Sequence, residues 1–122
     1  MDLFSYRDGA LHAEGVAVSE LAARYGTPLY VYSAGTIRRH VEAIREAFAA
    51  FEPIICYSVK ACSNVHILRE IAALGAGFDV VSGGELYRIV TAGLPTKNVV
   101  YAGVGKTEVE IRYALDNGIL MF

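Results

Sequence analysis

From residue 54 onward the chain repeats one pattern: a short apolar run, a capping residue, an amphipathic stretch and a glycine. The apolar runs are residues 54–59, 78–81, 98–102 and 119–122. Between them Val65, Leu68, Ile71 and Ala72, then Leu86, Ile89 and Val90, then Ile111, Ala114 and Leu115 recur at helical spacing. Gly75, Gly93 and Gly118 stand where those helices should end. The starts are marked as well: Ser63 or Asn64 can cap the first helix, while Ser82 with Glu85 and Thr107 with Glu110 have the form of capping boxes. Apolar runs without polar alternation suit strands buried on both faces. Strand and helix alternating at intervals of roughly 20–25 residues means successive βα units and a parallel sheet. The expected class is therefore α/β, as either a doubly wound open sheet or a (β/α)8 barrel. The four strands amount to about half of a barrel, which takes roughly 250 residues. A chain of 122 residues that stops within a strand is expected to be the N-terminal part of a larger protein.

The region before the repeat is less regular. Phe4, Tyr6 and Leu11 around Arg7-Asp8-Gly9 predict a short hairpin or an extended arm. A brief helix should follow, capped by Ser19, carrying Leu21 and Ala22 and closing at Gly26. Thr27-Pro28 then introduces Leu29-Tyr30-Val31-Tyr32, a compact β-prone segment. Ile37, Val41, Ile44, Phe48 and Phe51 mark one face of an amphipathic helix that Pro53 stops.

Composition excludes several function classes. A net charge of −2 gives no electrostatic reason to expect nucleic acid or an anionic membrane as a partner. No apolar run approaches the roughly 20 residues of a membrane span, and the first residues lack the basic and apolar regions of a signal peptide. Cys56 and Cys62 have neither disulfide-framework nor zinc spacing, which fits a reducing, cytoplasmic setting.

Two glycine motifs are decoys. Gly103-Val104-Gly105-Lys106-Thr107 imitates the end of a Walker A loop, but Val100 stands where that pattern needs its first glycine. Gly75-Ala76-Gly77-Phe78-Asp79-Val80 imitates a dinucleotide fingerprint, yet it precedes a strand and has Val80 at the third glycine position. His12, His40 and His66 have no metal-ligand spacing, and a surface role suits His40 and His66.

Lys60 is different. Strand alternation would put it on one face with Cys56 and Ser58, at the carboxyl end where barrel enzymes place their chemistry. It is either a lysine that snorkels out of a strand end or a Schiff-base lysine whose amine an apolar mouth frees to attack a carbonyl carbon. Asp79, within Phe78-Asp79-Val80-Val81 on the next strand, is a carboxylate either paired with a cation near the mouth or capping locally. Adjacent barrel strands would bring it close to Lys60.

The stretches Tyr57-Ser58-Val59-Lys60-Ala61-Cys62-Ser63-Asn64 and Gly75-Ala76-Gly77-Phe78-Asp79-Val80-Val81-Ser82-Gly83-Gly84-Glu85-Leu86 resemble the diaminopimelate decarboxylases. Gly26-Thr27-Pro28-Leu29-Tyr30-Val31-Tyr32 and Tyr101-Ala102-Gly103-Val104-Gly105-Lys106-Thr107 resemble the same family, in its order and spacing across essentially the whole chain. The resemblance implies the first half of an alanine-racemase-like (β/α)8 barrel that binds pyridoxal 5′-phosphate. Residues 1–32 would be a lead-in segment and a strand of a C-terminal β-domain, and residues 33–122 the incomplete cofactor-binding barrel. Lys60 matches the lysine that holds the cofactor covalently, and Asp79 matches a strand-end acid that orients or charge-balances it. The implied reaction is decarboxylation of meso-2,6-diaminopimelate to L-lysine by a homodimer. The family's phosphate-cradling loop, pyridinium partner and substrate clamps lie beyond residue 122, so these residues alone are expected to be an inactive fragment. Other members of the fold group (ornithine, arginine and carboxynorspermidine decarboxylases and alanine racemases) share the lysine strand. A non-catalytic pyridoxal-phosphate carrier is the alternative outside enzymes. One departure stands out: Cys62 replaces the asparagine the family usually has there.

Overall fold

The structure is a computed structural model that describes residues 3–122. Met1 and Asp2, the start of the expected lead-in segment, lie outside the described residues. The chain divides into two compact units, the first ending at His40 and the second comprising Val41–Phe122.

The first unit is built on a three-stranded antiparallel meander of β1 (Phe4–Arg7), β2 (Ala10–Ala13) and β3 (Val16–Ala17). The hairpin alternative is thus the one realised. Asp8 (φ 50°) and Gly9 (φ 78°) form a two-residue turn with both φ values positive, the twist that suits a tight hairpin. Helix α1 (Val18–Tyr25) follows β3 without a break, so its N-cap is Ala17 and it has no side-chain cap. Ser19, expected in that role, lies inside the helix because the strand runs straight into it. Gly26 (φ 80°) closes the helix as expected, with its N–H on the Ala22 carbonyl.

Helix α2 (Ala34–Ala47) begins at a non-local cap. The Glu14 carboxylate accepts from Ser33 Oγ at 2.7 Å and from Gly35 N at 2.9 Å, and Ser33 Oγ accepts from Thr36 N at 3.0 Å. These bonds, the Ser33 hydroxyl first, hold the Glu14 carboxyl below its usual range. Leu29-Tyr30-Val31-Tyr32, expected as a strand, joins no ladder among the described residues, and Tyr30 is 85% exposed. A strand needs a partner for its backbone groups, and no described strand runs alongside this segment.

The second unit carries a parallel sheet of β4 (Cys56–Ser58), β5 (Gly77–Val80) and β6 (Val99–Tyr101), in that order. Val100 also bridges Met121 in parallel, so residues 119–122 start to extend the sheet at its free edge. Each strand neighbours its successor, which is the order of a (β/α)8 barrel and shows no reversal among the described residues. Helices α3 (Val65–Ala73), α4 (Gly83–Thr91) and α5 (Glu108–Asp116) connect the strands or follow them. Phe78 and Val80 of β5 and Val99 and Tyr101 of β6 point to one face with Leu68, Leu86 and Ile89 of the helices, and all seven are fully buried. Burying a side chain of this size contributes about 1.5–3 kcal/mol, so this layer is the main source of cohesion. The opposite face carries Cys56, Ser58, Gly77, Asp79 and Val100, and apart from Gly77 these are half-buried.

The apolar run at residues 54–59 forms a shorter strand than expected. Ile54 is 59% exposed, and the ladder covers only Cys56–Ser58. Gly77 explains one of the decoy glycines: its N–H donates to the Ile55 carbonyl at 2.8 Å, and a Cβ there would sit 2.0 Å from the Asn98 carbonyl oxygen. The position needs glycine so that β4, β5 and the start of β6 can close together, with no nucleotide involved.

Gly77→Ala should therefore destabilise the second unit by about 1–3 kcal/mol or more, because backbone must move to admit the methyl group. Chemical denaturation of the two proteins checks this. An unchanged midpoint would show that the sheet is looser at this point than its hydrogen bonds require.

Candidate functional site

Parallel strands deliver their carboxyl ends to one edge, so the segments after β4, β5 and β6 meet there. Three features set the first of them. Val59–Ala61 folds into a single 3-10 turn anchored by Val59, which is fully buried. The Tyr57 hydroxyl donates to the Cys62 carbonyl oxygen at 3.2 Å and ties the turn down on its far side. Asn64, one of the two expected caps, is the one used: its Oδ1 accepts from His66 N at 2.9 Å and starts α3.

Lys60 rides on this turn. It is therefore not a strand residue in the alternation of Cys56 and Ser58, as its spacing predicted. The ladder stops at Ser58 because the backbone winds into the turn, and the side chain that follows Val59 is exposed. No apolar mouth encloses its amine among the described residues.

Asp79 pairs with Ser58 in the register of β4 and β5. Ser58 Oγ donates to Asp79 Oδ2 at 3.1 Å, while Asp79 Oδ1 is buried and has no hydrogen-bond partner. A buried carboxylate oxygen left unpaired costs about 1–3 kcal/mol or more, so this atom is poised to accept a donor. Lys60 makes no hydrogen bond or ion pair with it among the described residues, although its turn begins directly after Ser58. Burial first, and then the Asp79 charge, push the Cys56 thiol above its ordinary range, which argues against a nucleophilic role. Cys62 is half-buried, and its fixed contact is made through its backbone carbonyl. Any residue supplies that carbonyl, so the loop does not depend on the asparagine the family usually has.

The other two segments are held by carboxylates. At the start of α4, Ser82 Oγ accepts from Glu85 N at 3.2 Å and Glu85 Oε2 accepts from Val81 N at 2.8 Å. The expected box is thus shifted by one residue, because the Glu85 side chain reaches past its cap. At α5 the box is complete: Thr107 Oγ1 accepts from Glu110 N, and Glu110 Oε2 accepts from Thr107 N at 2.9 Å. Glu110 Oε1 also accepts from Gly83 N at 2.8 Å, a link across 27 residues that local spacing could not reveal. These N–H donors, led by Thr107 and Gly83, hold the Glu110 carboxyl down at about 2. Burial first, then Glu110, push the Tyr101 phenol beneath it up to about 12. Lys106 donates to the Gly103 carbonyl oxygen and lies over the Tyr101 ring, so the lysine of the Walker-like motif closes its own loop.

Pyridoxal phosphate would need an amine, an acid near it and donors for its phosphate. An exposed amine and an orphaned buried carboxylate oxygen fit the carbonyl end of the cofactor. The phosphate end finds no such fit here, since Val81 N and Gly83 N are already taken by Glu85 and Glu110. A cleft of about 790 Å³ does open beside α3 and α4, with Arg69, Glu85 and Arg88 in its lining, but neither Lys60 nor Asp79 borders it. His66 is exposed, and no group of three or more metal-ligating side chains occurs among the described residues.

Comparison with known proteins gives the chain a family. The family described as pyridoxal-dependent decarboxylase, pyridoxal binding domain, matches residues 34–122. The diaminopimelate decarboxylase of Aquifex aeolicus is 55% identical over 117 residues, which are 96% of this chain and 27% of that protein. The enzyme of the same name from Pseudomonas aeruginosa is 50% identical over 122 residues, covering 100% of this chain and 29% of the relative. The crystal structure of diaminopimelate decarboxylase from M. jannaschii in complex with L-lysine superposes with a TM-score of 0.91 at 38% identity, over 98% of this chain and 29% of that one. The chain thus spans under a third of the length of the relatives it matches. The fold is the N-terminal part of the barrel those structures share.

The Glu110 clamp has a pH signature. Its carboxyl lies lower in the folded chain, about 2 against an ordinary 4.5, so its contribution is present in full above 4.5 and lost as pH falls towards 2. The gap in melting temperature between the parent and Glu110→Gln should be constant above that window and close within it. A gap that does not change with pH would contradict the clamp.

Proposed function

The chain belongs to the pyridoxal-dependent decarboxylases through their pyridoxal-binding domain, and from that premise we propose that it serves the decarboxylation of meso-2,6-diaminopimelate to L-lysine and carbon dioxide. The carrying observation is identity of up to 55% with diaminopimelate decarboxylases over 96% of the chain. Residues 1–32 are assigned to a lead-in segment and a strand contributed to a β-domain, and residues 33–122 to the cofactor-binding barrel. The working enzyme is a cytoplasmic homodimer with a small amino acid as its substrate.

Lys60 is the residue that binds the cofactor covalently through its Nζ. Its exposed position on a turn rooted by Val59 supports this, because the amine can reach a carbonyl carbon without moving the sheet. When bound, pyridoxal phosphate supplies an electron sink for the pair left behind as carbon dioxide departs. With the cofactor and substrate in place, the Lys60 amine would be the group of this chain able to hold or return a proton. Asp79, fixed by Ser58 through Oδ2, keeps Oδ1 for a donor at this centre and is assigned the task of orienting Lys60 or balancing its charge.

The intact protein should decarboxylate meso-2,6-diaminopimelate in preference to ornithine and arginine, with carbon dioxide release as the readout. Lys60→Ala should lower kcat by on the order of a thousandfold or more without loss of fold. Preferential turnover of ornithine or arginine would move the substrate assignment elsewhere within the family. Undiminished turnover by Lys60→Ala would remove the assignment of Lys60.

A further inference from the structure

One side chain ties together two of the segments that meet at the carboxyl edge of the sheet. Glu110, in the first turn of α5, uses Oε2 for Thr107 N and Thr107 Oγ1, at 2.9 and 2.8 Å. Its other oxygen, Oε1, takes Gly83 N at 2.8 Å. The bonds to Thr107 complete an ordinary capping box, and α5 needs nothing more. Helix α4 does not need the Gly83 bond to start either, since Ser82 already caps it. The link is therefore additional to what either helix requires.

Space is matched to it. A Cβ on Gly83 would lie 2.8 Å from Glu110 Cγ, so the glycine lets the carboxylate approach the backbone. Gly103, between the two segments, takes a positive φ of 95° that favours glycine and lies against Val81. Ala102 N donates to the Val80 carbonyl oxygen at 2.9 Å and continues the contact from β6 to β5. The segment held in this way is the immediate continuation of β5, the strand that carries Asp79. Asp79 is in turn joined to Ser58, the last residue before the turn that bears Lys60.

We propose that Glu110 is a positioning residue for the Lys60 centre: acting through Gly83, it holds the carboxyl end of β5, and with it the Asp79 carboxylate, in place beside the Lys60 turn. It touches neither cofactor nor substrate. The proposal rests on the reading of Lys60 as the cofactor lysine. A cap that served the helices alone would be felt in stability only. A positioning residue is felt in how well the amine and carboxylate meet bound pyridoxal phosphate, and misplacement of reacting groups by about 1 Å can cost on the order of a hundredfold in rate.

The test compares the intact parent protein with Glu110→Ala, Glu110→Gln, Gly83→Ala and the Glu110→Ala/Gly83→Ala double variant, each first shown to be folded by circular dichroism. Two quantities are read: the apparent affinity for pyridoxal phosphate, by absorbance titration of cofactor-free protein, and kcat with KM for meso-2,6-diaminopimelate. Glu110→Ala should weaken cofactor binding about tenfold, by analogy with removal of a partner that orients a metal ligand, and lower kcat more than it raises KM. Glu110→Gln retains an acceptor oxygen and should recover a large part of both losses. The double variant should be no worse than the worse single variant, because both changes break one contact. Should Glu110→Ala fail to fold, Glu110→Gln and Gly83→Ala carry the same comparison.

A folded Glu110→Ala with affinity and kcat within about twofold of the parent would overturn the proposal, as would losses that multiply in the double variant. A parent that binds no pyridoxal phosphate would overturn the functional reading and this proposal with it. A parent that binds normally beside an indifferent Glu110→Ala would overturn this proposal alone.

Discussion

The parallel register of β4 and β5 sets Ser58 beside Asp79, and the whole carboxyl edge follows from that pairing. Gly77 serves both neighbours of β5: its N–H donates to the Ile55 carbonyl just before β4, and its missing side chain leaves room for the Asn98 carbonyl just before β6. With the strands closed up, the Ser58 hydroxyl reaches one oxygen of Asp79 and leaves the other buried and unpaired. The next turn then lifts Lys60 out of the ladder and exposes it. A fully buried apolar layer behind the sheet supplies the cohesion that tolerates this unsatisfied carboxylate.

Carboxylates recur as braces in both units, each considered by itself. Glu14 meets Ser33 and Gly35 at the start of α2, Glu85 meets Val81 N, and Glu110 meets Thr107 and Gly83. In each case an acid satisfies backbone N–H groups that a strand end or helix start would otherwise leave open. Glu14 and Glu110 show the expected downward shift, since the donors that meet them favour the ionised carboxylate. The device also limits the chemistry. A helix start filled by the chain's own acids does not serve a phosphate group as well, so the anionic end of a cofactor has to be held by other residues.

The sequence made the order of elements legible because the signals were local: capping residues, helical spacing and terminal glycines recur in each βα unit. It also placed Asp79 beside the end of β4, as the register shows, whereas Lys60 lies on the turn after the strand. Four features escaped it for identifiable reasons. The end of β4 depends on where the backbone winds into a 3-10 turn, and an apolar run carries no mark of that point. Ser19 was a sound cap by type, yet β3 leads into α1 without a gap for one. The link from Glu110 to Gly83 joins residues far apart in the chain, so spacing rules see only half of what Glu110 does. Leu29-Tyr30-Val31-Tyr32 has strand chemistry, and strand structure depends on a partner as much as on propensity.

The central claim is that Lys60 carries pyridoxal phosphate. Borohydride reduction of the cofactor-loaded intact protein, followed by peptide mapping, tests it most directly. The account predicts a reduced pyridoxyl group on the peptide containing Lys60 and on no other. Its attachment to a different lysine, or its absence from every peptide of a protein that binds the cofactor, would contradict the account.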